Sequence, residues 1–125
     1  MAKVERFEDL KVWQHAIEIG VKIYVLVESS TISKDFRSRD QLIGSAISIS
    51  NNIAEGFEYN NNKQFMRYLA IAKGSARELR SQLYLLLQAS KLDQTNYDLF
   101  YKDLVQISSE LKGFIKYLSE FEKKN

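Results

Sequence analysis

The sequence predicts an all-α protein, an antiparallel up-down-up-down four-helix bundle, and three observations carry that prediction. None of the 125 residues is proline, so long helices need not be interrupted. Apolar residues recur at steps of three and four along four segments, which places them on one face of a helix. Short polar stretches suited to capping separate the segments.

The bulk figures agree. At 14.5 kDa, with 45% hydrophobic and 27% charged residues, the chain is expected to fold as one domain over residues 1–125. Cysteine is absent, which excludes disulfides, thiolate chemistry and sulfur-ligated metals. The longest apolar run, "LYLLL", is far too short to span a membrane. The opening "MAKVERFEDLKVW" lacks the apolar stretch of a secretion signal, so a cytoplasmic location is expected.

The first helix is expected to begin near Glu8 or Asp9 and to bury Leu10, Trp13, Ile17, Gly20, Tyr24 and Val27. The second buries Leu42, Ala46, Ile49, Ile53 and Gly56, and its start is marked by the capping-box spacing of Ser38 and Gln41. Gly56 stands where a helix can end in a left-handed residue, and residues 60–62 can turn the chain. Asn61 and Gln64 repeat the capping spacing for the third helix, whose stripe is Phe65, Leu69, Ala72, Ala76, Leu79, Leu83 and Leu86. The fourth is capped by Asp93 or Thr95 and buries Tyr97, Phe100, Leu104, Ile107, Leu111, Phe114, Leu118 and Phe121. Only the first connection, about residues 29–37, is longer than a tight turn; the others force antiparallel neighbours.

Gly74 costs about 1 kcal/mol against alanine inside a helix, a penalty that close approach of a second backbone would offset. The small residues of "GSAISIS" in the second helix are the expected facing surface.

No catalytic constellation is visible. His15, the single histidine, lies off the apolar stripe with no local partner, and a surface or hydrogen-bonded role suits it better than general base or metal ligand. Glu8 and Asp9 suit a helix start. The scattered glycines form no phosphate loop. An enzyme, a cofactor, a metal and a small-molecule substrate are therefore not expected.

Charge is more informative. Residues 62–91 hold Lys63, Arg67, Lys73, Arg77, Arg80 and Lys91 against the single acid Glu78. The first five of these cations fall within an arc of roughly 140° away from the apolar stripe. Residues 93–122 reverse the balance, with Asp93, Asp98, Asp103, Glu110, Glu120 and Glu122 against three lysines. Two readings follow: the helices complement each other within or between subunits, or the basic face binds nucleic acid or an acidic partner. Tyr84 lies beside the arc, but one tyrosine is not an aromatic platform. Phe57 and Tyr59 flank the polar turn outside any stripe and are expected at a contact between subunits.

"FEDLKVWQHA", "SAISISNNIAEG" and "QFMRYLAIAKGSARELRSQL", at this spacing, resemble the four-helix-bundle proteins encoded within intervening sequences of bacterial 23S ribosomal RNA genes. These are relatives of the accessory proteins of diversity-generating retroelements, and the likeness spans nearly the whole chain. It implies a ring-shaped homopentamer. For the retroelement relatives it implies binding of a reverse transcriptase and nucleic acid through basic surfaces. Asn52, Glu55, Gly56, Gly74, Ser75 and Glu78 match the motif; nothing in the resemblance implies that they are catalytic, and they read as a polar, small-residue seam where the second and third helices meet. Ser50 replaces a usual proline, and "FEYN" follows "NIAEG" where arginine is frequent.

The expectation is a non-enzymatic, ring-forming bundle that binds RNA or a nucleic-acid-associated protein through Lys63, Arg67, Lys73, Arg77 and Arg80. The alternative is a self-assembling module with no nucleic-acid role.

Overall fold

Polar stops, not prolines, divide the helix-forming sequence. The computed structural model describes residues 3–29 and 31–124; Met1, Ala2, Asn125 and Ser30, the last inside the expected first connection, lie outside the described residues. After a 3-10 turn at Phe7–Asp9 come α1 (Lys11–Leu26), α2 (Phe36–Glu58), α3 (Asn62–Gln88) and α4 (Gln94–Lys124). No strand occurs among the described residues.

The first helix starts later than expected. Glu8 and Asp9 belong to the 3-10 turn, and the Gln14 side chain donates to the Glu8 carbonyl across the join at 2.9 Å. The cap of α2 also lies elsewhere. Asp35, not Ser38, occupies the N-cap; its carboxylate accepts from the Ser38 backbone N–H at 3.2 Å and from the Ser38 hydroxyl at 2.7 Å. Those two hydrogen bonds, the hydroxyl one first, hold the Asp35 carboxyl below its ordinary range. For α3 the cap is Asn61, which accepts from the Gln64 N–H at 3.1 Å as its spacing foretold. Asp93 caps α4, accepting from the Asn96 N–H at 2.7 Å.

The turns are closed by left-handed residues that are not glycine. Gly56 does not end α2: the helix runs through it, and Asn60 takes the positive φ of 56°. Asparagine tolerates that conformation better than other side chains. At the end of α3, Ser90 has φ 61°, while Lys91 N–H bonds to Leu86 O and Ser90 N–H to Leu87 O. That pair of bonds satisfies carbonyls left open by the helix end, with serine where glycine is usual.

Each helix packs on two neighbours, α1 on α2 and α4, α3 on α2 and α4. Contacts between partners advance in opposite directions. Ser45 meets Glu78 and Ser48 meets Ser75, while on the far side His15 meets Glu110 and Lys22 meets Asp103. This is the antiparallel up-down-up-down bundle. Its core is continuous along the bundle axis and buries the expected stripes of α2 and α3 in full.

The stripe of α1 is corrected. The buried residues are Val12, Ala16, Ile19 and Ile23, with Leu10 and Val27 at the ends. Ile17 and Tyr24 are 39% and 50% exposed, and Val21 and Val25 beside them 59% and 70%. This helix carries apolar residues on two faces, and the bundle buries the one that holds Val12, Ala16, Ile19 and Ile23. Trp13 is half-buried, held edge-on by Phe7 at 5.2 Å. In α4 the expected stripe is buried at Phe100, Leu104, Ile107, Leu111 and Leu118, while Tyr97 and Phe114 are half-buried and Phe121 is 47% exposed.

Candidate nucleic-acid interface

Four of the six motif residues, Asn52, Gly56, Ser75 and Glu78, lie at the α2–α3 seam. Asn52 donates to the Ser48 carbonyl at 2.7 Å and to its hydroxyl at 3.0 Å, and the Ser48 and Ser75 hydroxyls join across the seam at 2.7 Å. Glu78 accepts from Ser45 at 3.5 Å. Gly56 is where the helices come closest: a Cβ there would stand 2.6 Å from the Tyr68 Cβ and 2.9 Å from Phe65 Cδ1. Gly74 does not take part within the chain, since a Cβ would meet only the end of Arg77 at 3.8 Å. Spacing along the helix explains this, because Gly74 precedes Ser75 by one residue and points about 100° away from the seam. Glu55 is exposed beside Tyr68.

Phe57 and Tyr59 have partners inside the chain. Phe57 lies in α2, half-buried, with its ring edge-on to Phe65 at 5.9 Å. Tyr59 remains 51% exposed and stacks on Tyr68 at 5.4 Å. A hydrogen bond with Tyr59, and then lost solvent, hold the Tyr68 phenol above the ordinary tyrosine range.

The α3 cations lie on the outer surface. Lys63, Arg67 and Arg77 are exposed, Lys73 and Arg80 half-buried. None forms an ion pair among the described residues. Two of the six acids expected to offset them pair with α1 instead: Asp103 accepts from Lys22 at 2.7 Å and Glu110 is held by His15 Nδ1 at 2.8 Å. Helical rise separates Lys63 from Arg80 by about 25 Å, so the five cations form a track and not a cluster. At 5.7 Å, Arg80 lies over the ring of Tyr101.

That last contact belongs to a feature the sequence did not suggest. Arg77, Arg80, Ser81 and Tyr84 from α3, with Tyr97 and Tyr101 from α4, line an open groove of about 350 Å³. Tyr97 stands between the other two rings, 5.9 Å from Tyr84 and 6.1 Å from Tyr101. Tyr84, one ring on α3, is thus joined across the helix pair by two rings from α4. Counting outward from the α3–α4 turn would have found it, because Tyr84 and Tyr97, then Arg80 and Tyr101, lie at matching distances from residues 90–91.

Among the described residues, no three His, Asp or Glu side chains gather as a metal site, and no helix is long and apolar enough to cross a membrane. Fold and surface together define an all-helical bundle with a basic track and an aromatic groove. The chain belongs to the 23S rRNA-intervening sequence protein family, whose profile matches residues 8–113. In structure it is similar to a protein of unknown function from the S23 ribosomal protein family of Bacteroides thetaiotaomicron, with TM-score 0.77 and 27% identity over 84% of this chain and 98% of that one. No functionally curated protein matches.

Proposed function

We propose that the protein acts without catalysis, as a cytoplasmic ring-shaped homo-oligomer, most simply a pentamer, that binds RNA through the basic face of α3. The observation that supports this is the use of charge. Lys63, Arg67, Lys73, Arg77 and Arg80 have no acidic partner among the described residues, while Asp103 and Glu110 are taken by α1. A row of unpaired cations along about 25 Å of helix suits a phosphate backbone, which gains affinity by releasing counterions. An acidic or nucleic-acid-associated protein, such as a reverse transcriptase, is the competing ligand for the same face.

A second reading, a self-assembling module that binds no nucleic acid, draws on α1. Ile17, Val21, Tyr24 and Val25 form an exposed apolar strip on one side of that helix, and another copy of the chain would bury it. Assembly is common to both readings; RNA binding separates them. The test is a salt titration of RNA binding by the purified chain, run beside sizing by light scattering. Binding that weakens steeply with salt supports the RNA reading. No detectable binding at low salt removes it and leaves the assembly module.

A further inference from the structure

We propose that the groove between α3 and α4 stacks unpaired bases on Tyr84 and Tyr101, making this face selective for single-stranded over double-stranded RNA. The inference rests on the RNA reading above and narrows its ligand. The basic track alone does not discriminate, because both forms present phosphates. The tyrosines do. In a duplex each base is stacked between its neighbours and its flat face is closed to protein, whereas an unpaired base can be splayed onto an aromatic ring.

Three features of the groove suit that task. Its outer rings reach solvent, Tyr84 being 52% and Tyr101 46% exposed, with Arg80 over one face of Tyr101. The rings are also held in place: half-buried Tyr97 packs against the core and touches both, edge-on to Tyr84. Rings fixed before binding lose little freedom when a base arrives. Finally, cations border the rings. Arg80 rests over Tyr101 at 5.7 Å, and Arg77 lines the same groove, so a phosphate flanking the stacked base meets a guanidinium. Interior packing does not account for these tyrosines, since about half the surface of two of them faces water.

The experiment compares a mixed-sequence single-stranded RNA with a blunt duplex of similar charge, by fluorescence anisotropy on the full chain. Variants are Tyr84→Leu with Tyr101→Leu, the corresponding pair of phenylalanine substitutions, and Lys73→Gln with Arg77→Gln and Arg80→Gln. Leucine keeps apolar bulk and removes the ring. The wild type should favour the single strand, and the leucine pair should weaken that complex by about tenfold or more while barely affecting the duplex. Phenylalanine should restore most of the loss, and the glutamine triple should weaken both forms. Equal affinity of the wild type for the two RNAs, lost only with the cations, would overturn the stacking proposal and leave the basic face standing. So would a leucine pair that binds the single strand normally, or one that changes the assembled mass and thereby marks the groove as a contact between copies. Binding of neither RNA at low salt would overturn both readings together.

Discussion

Gly56 faces Tyr68 so closely that a Cβ on the glycine would stand 2.6 Å from the Tyr68 Cβ, with the Phe65 Cα at 3.4 Å behind it. Neither neighbour can swing aside, because one is the root of a side chain and the other is backbone. Gly56→Ala should therefore push α2 and α3 apart and destabilise the chain by about 1–3 kcal/mol, despite alanine's better helix propensity. Gly74→Ala meets nothing nearer than the flexible end of Arg77 and should stabilise by up to about 1 kcal/mol. Urea unfolding of the two variants checks both signs. A Gly56→Ala midpoint at or above that of the wild type would remove the close approach.

The Asp35 cap gives a pH prediction. Its folded-state carboxyl is held below the ordinary value of 3.8, chiefly by the Ser38 hydroxyl. A lowered folded pKa means that the stabilising contribution is present above the unfolded value and fades as pH falls through the folded one. Asp35→Ala should therefore melt at a lower temperature than wild type near neutrality. The gap should narrow as pH falls below 3.8 and close only below the lowered folded-state value. A gap that persisted unchanged in acid would mean that Asp35 acts through packing and not as an ionised cap.

Much of the fold was legible in the sequence because three of the four helices carry a single apolar stripe. The exception, α1, is apolar on two faces, and periodicity cannot say which one the bundle buries, because that depends on how the helix docks against α2 and α4. The two glycines differ from expectation for a related reason. Gly56 looked like a helix stop and Gly74 like a contact, yet which glycine touches a neighbour depends on its angle to the seam, set by the pairing of Ser48 with Ser75. The cations of the basic face could be read directly. That Asp103 and Glu110 are taken by Lys22 and His15 of α1 could not, because each pair joins residues far apart in the chain. The tyrosine groove stayed hidden for the same cause, although the register of a tight antiparallel turn carries it.

Those distant pairs allow the two uses of charge to be separated. If Lys73, Arg77 and Arg80 hold phosphates of a single strand, replacing all three by glutamine should flatten the log–log salt dependence of binding by roughly two units. Folding should change little, since none of the three forms an ion pair among the described residues and the Arg80–Tyr101 contact contributes only about 0.5–1 kcal/mol. Asp103→Asn with Glu110→Gln removes the α1–α4 pairs instead. It should cost on the order of 0–1 kcal/mol per pair and leave the salt slope alone. Were the glutamine triple to lose assembly, the cations would be pairing across subunits, and the RNA reading of this face would fail.

Assembly itself turns on α1. Val21 and Val25 are among the most exposed apolar residues on that helix, at 59% and 70%, and touch the strip formed with Ile17 and Tyr24 at helical spacing. Light scattering should report a mass several times 14.5 kDa for the wild type, most simply five times. Val21→Glu with Val25→Glu places two charges where a second copy would otherwise exclude water, and burying an unpaired charge is expensive. The double variant should therefore run as a monomer, yet retain the wild-type helical circular dichroism, because neither side chain belongs to the core. An unfolded variant would show that the strip is needed within the chain. A folded variant that still assembles would move the subunit contact to another face, with the Phe57 and Tyr59 corner as the next candidate.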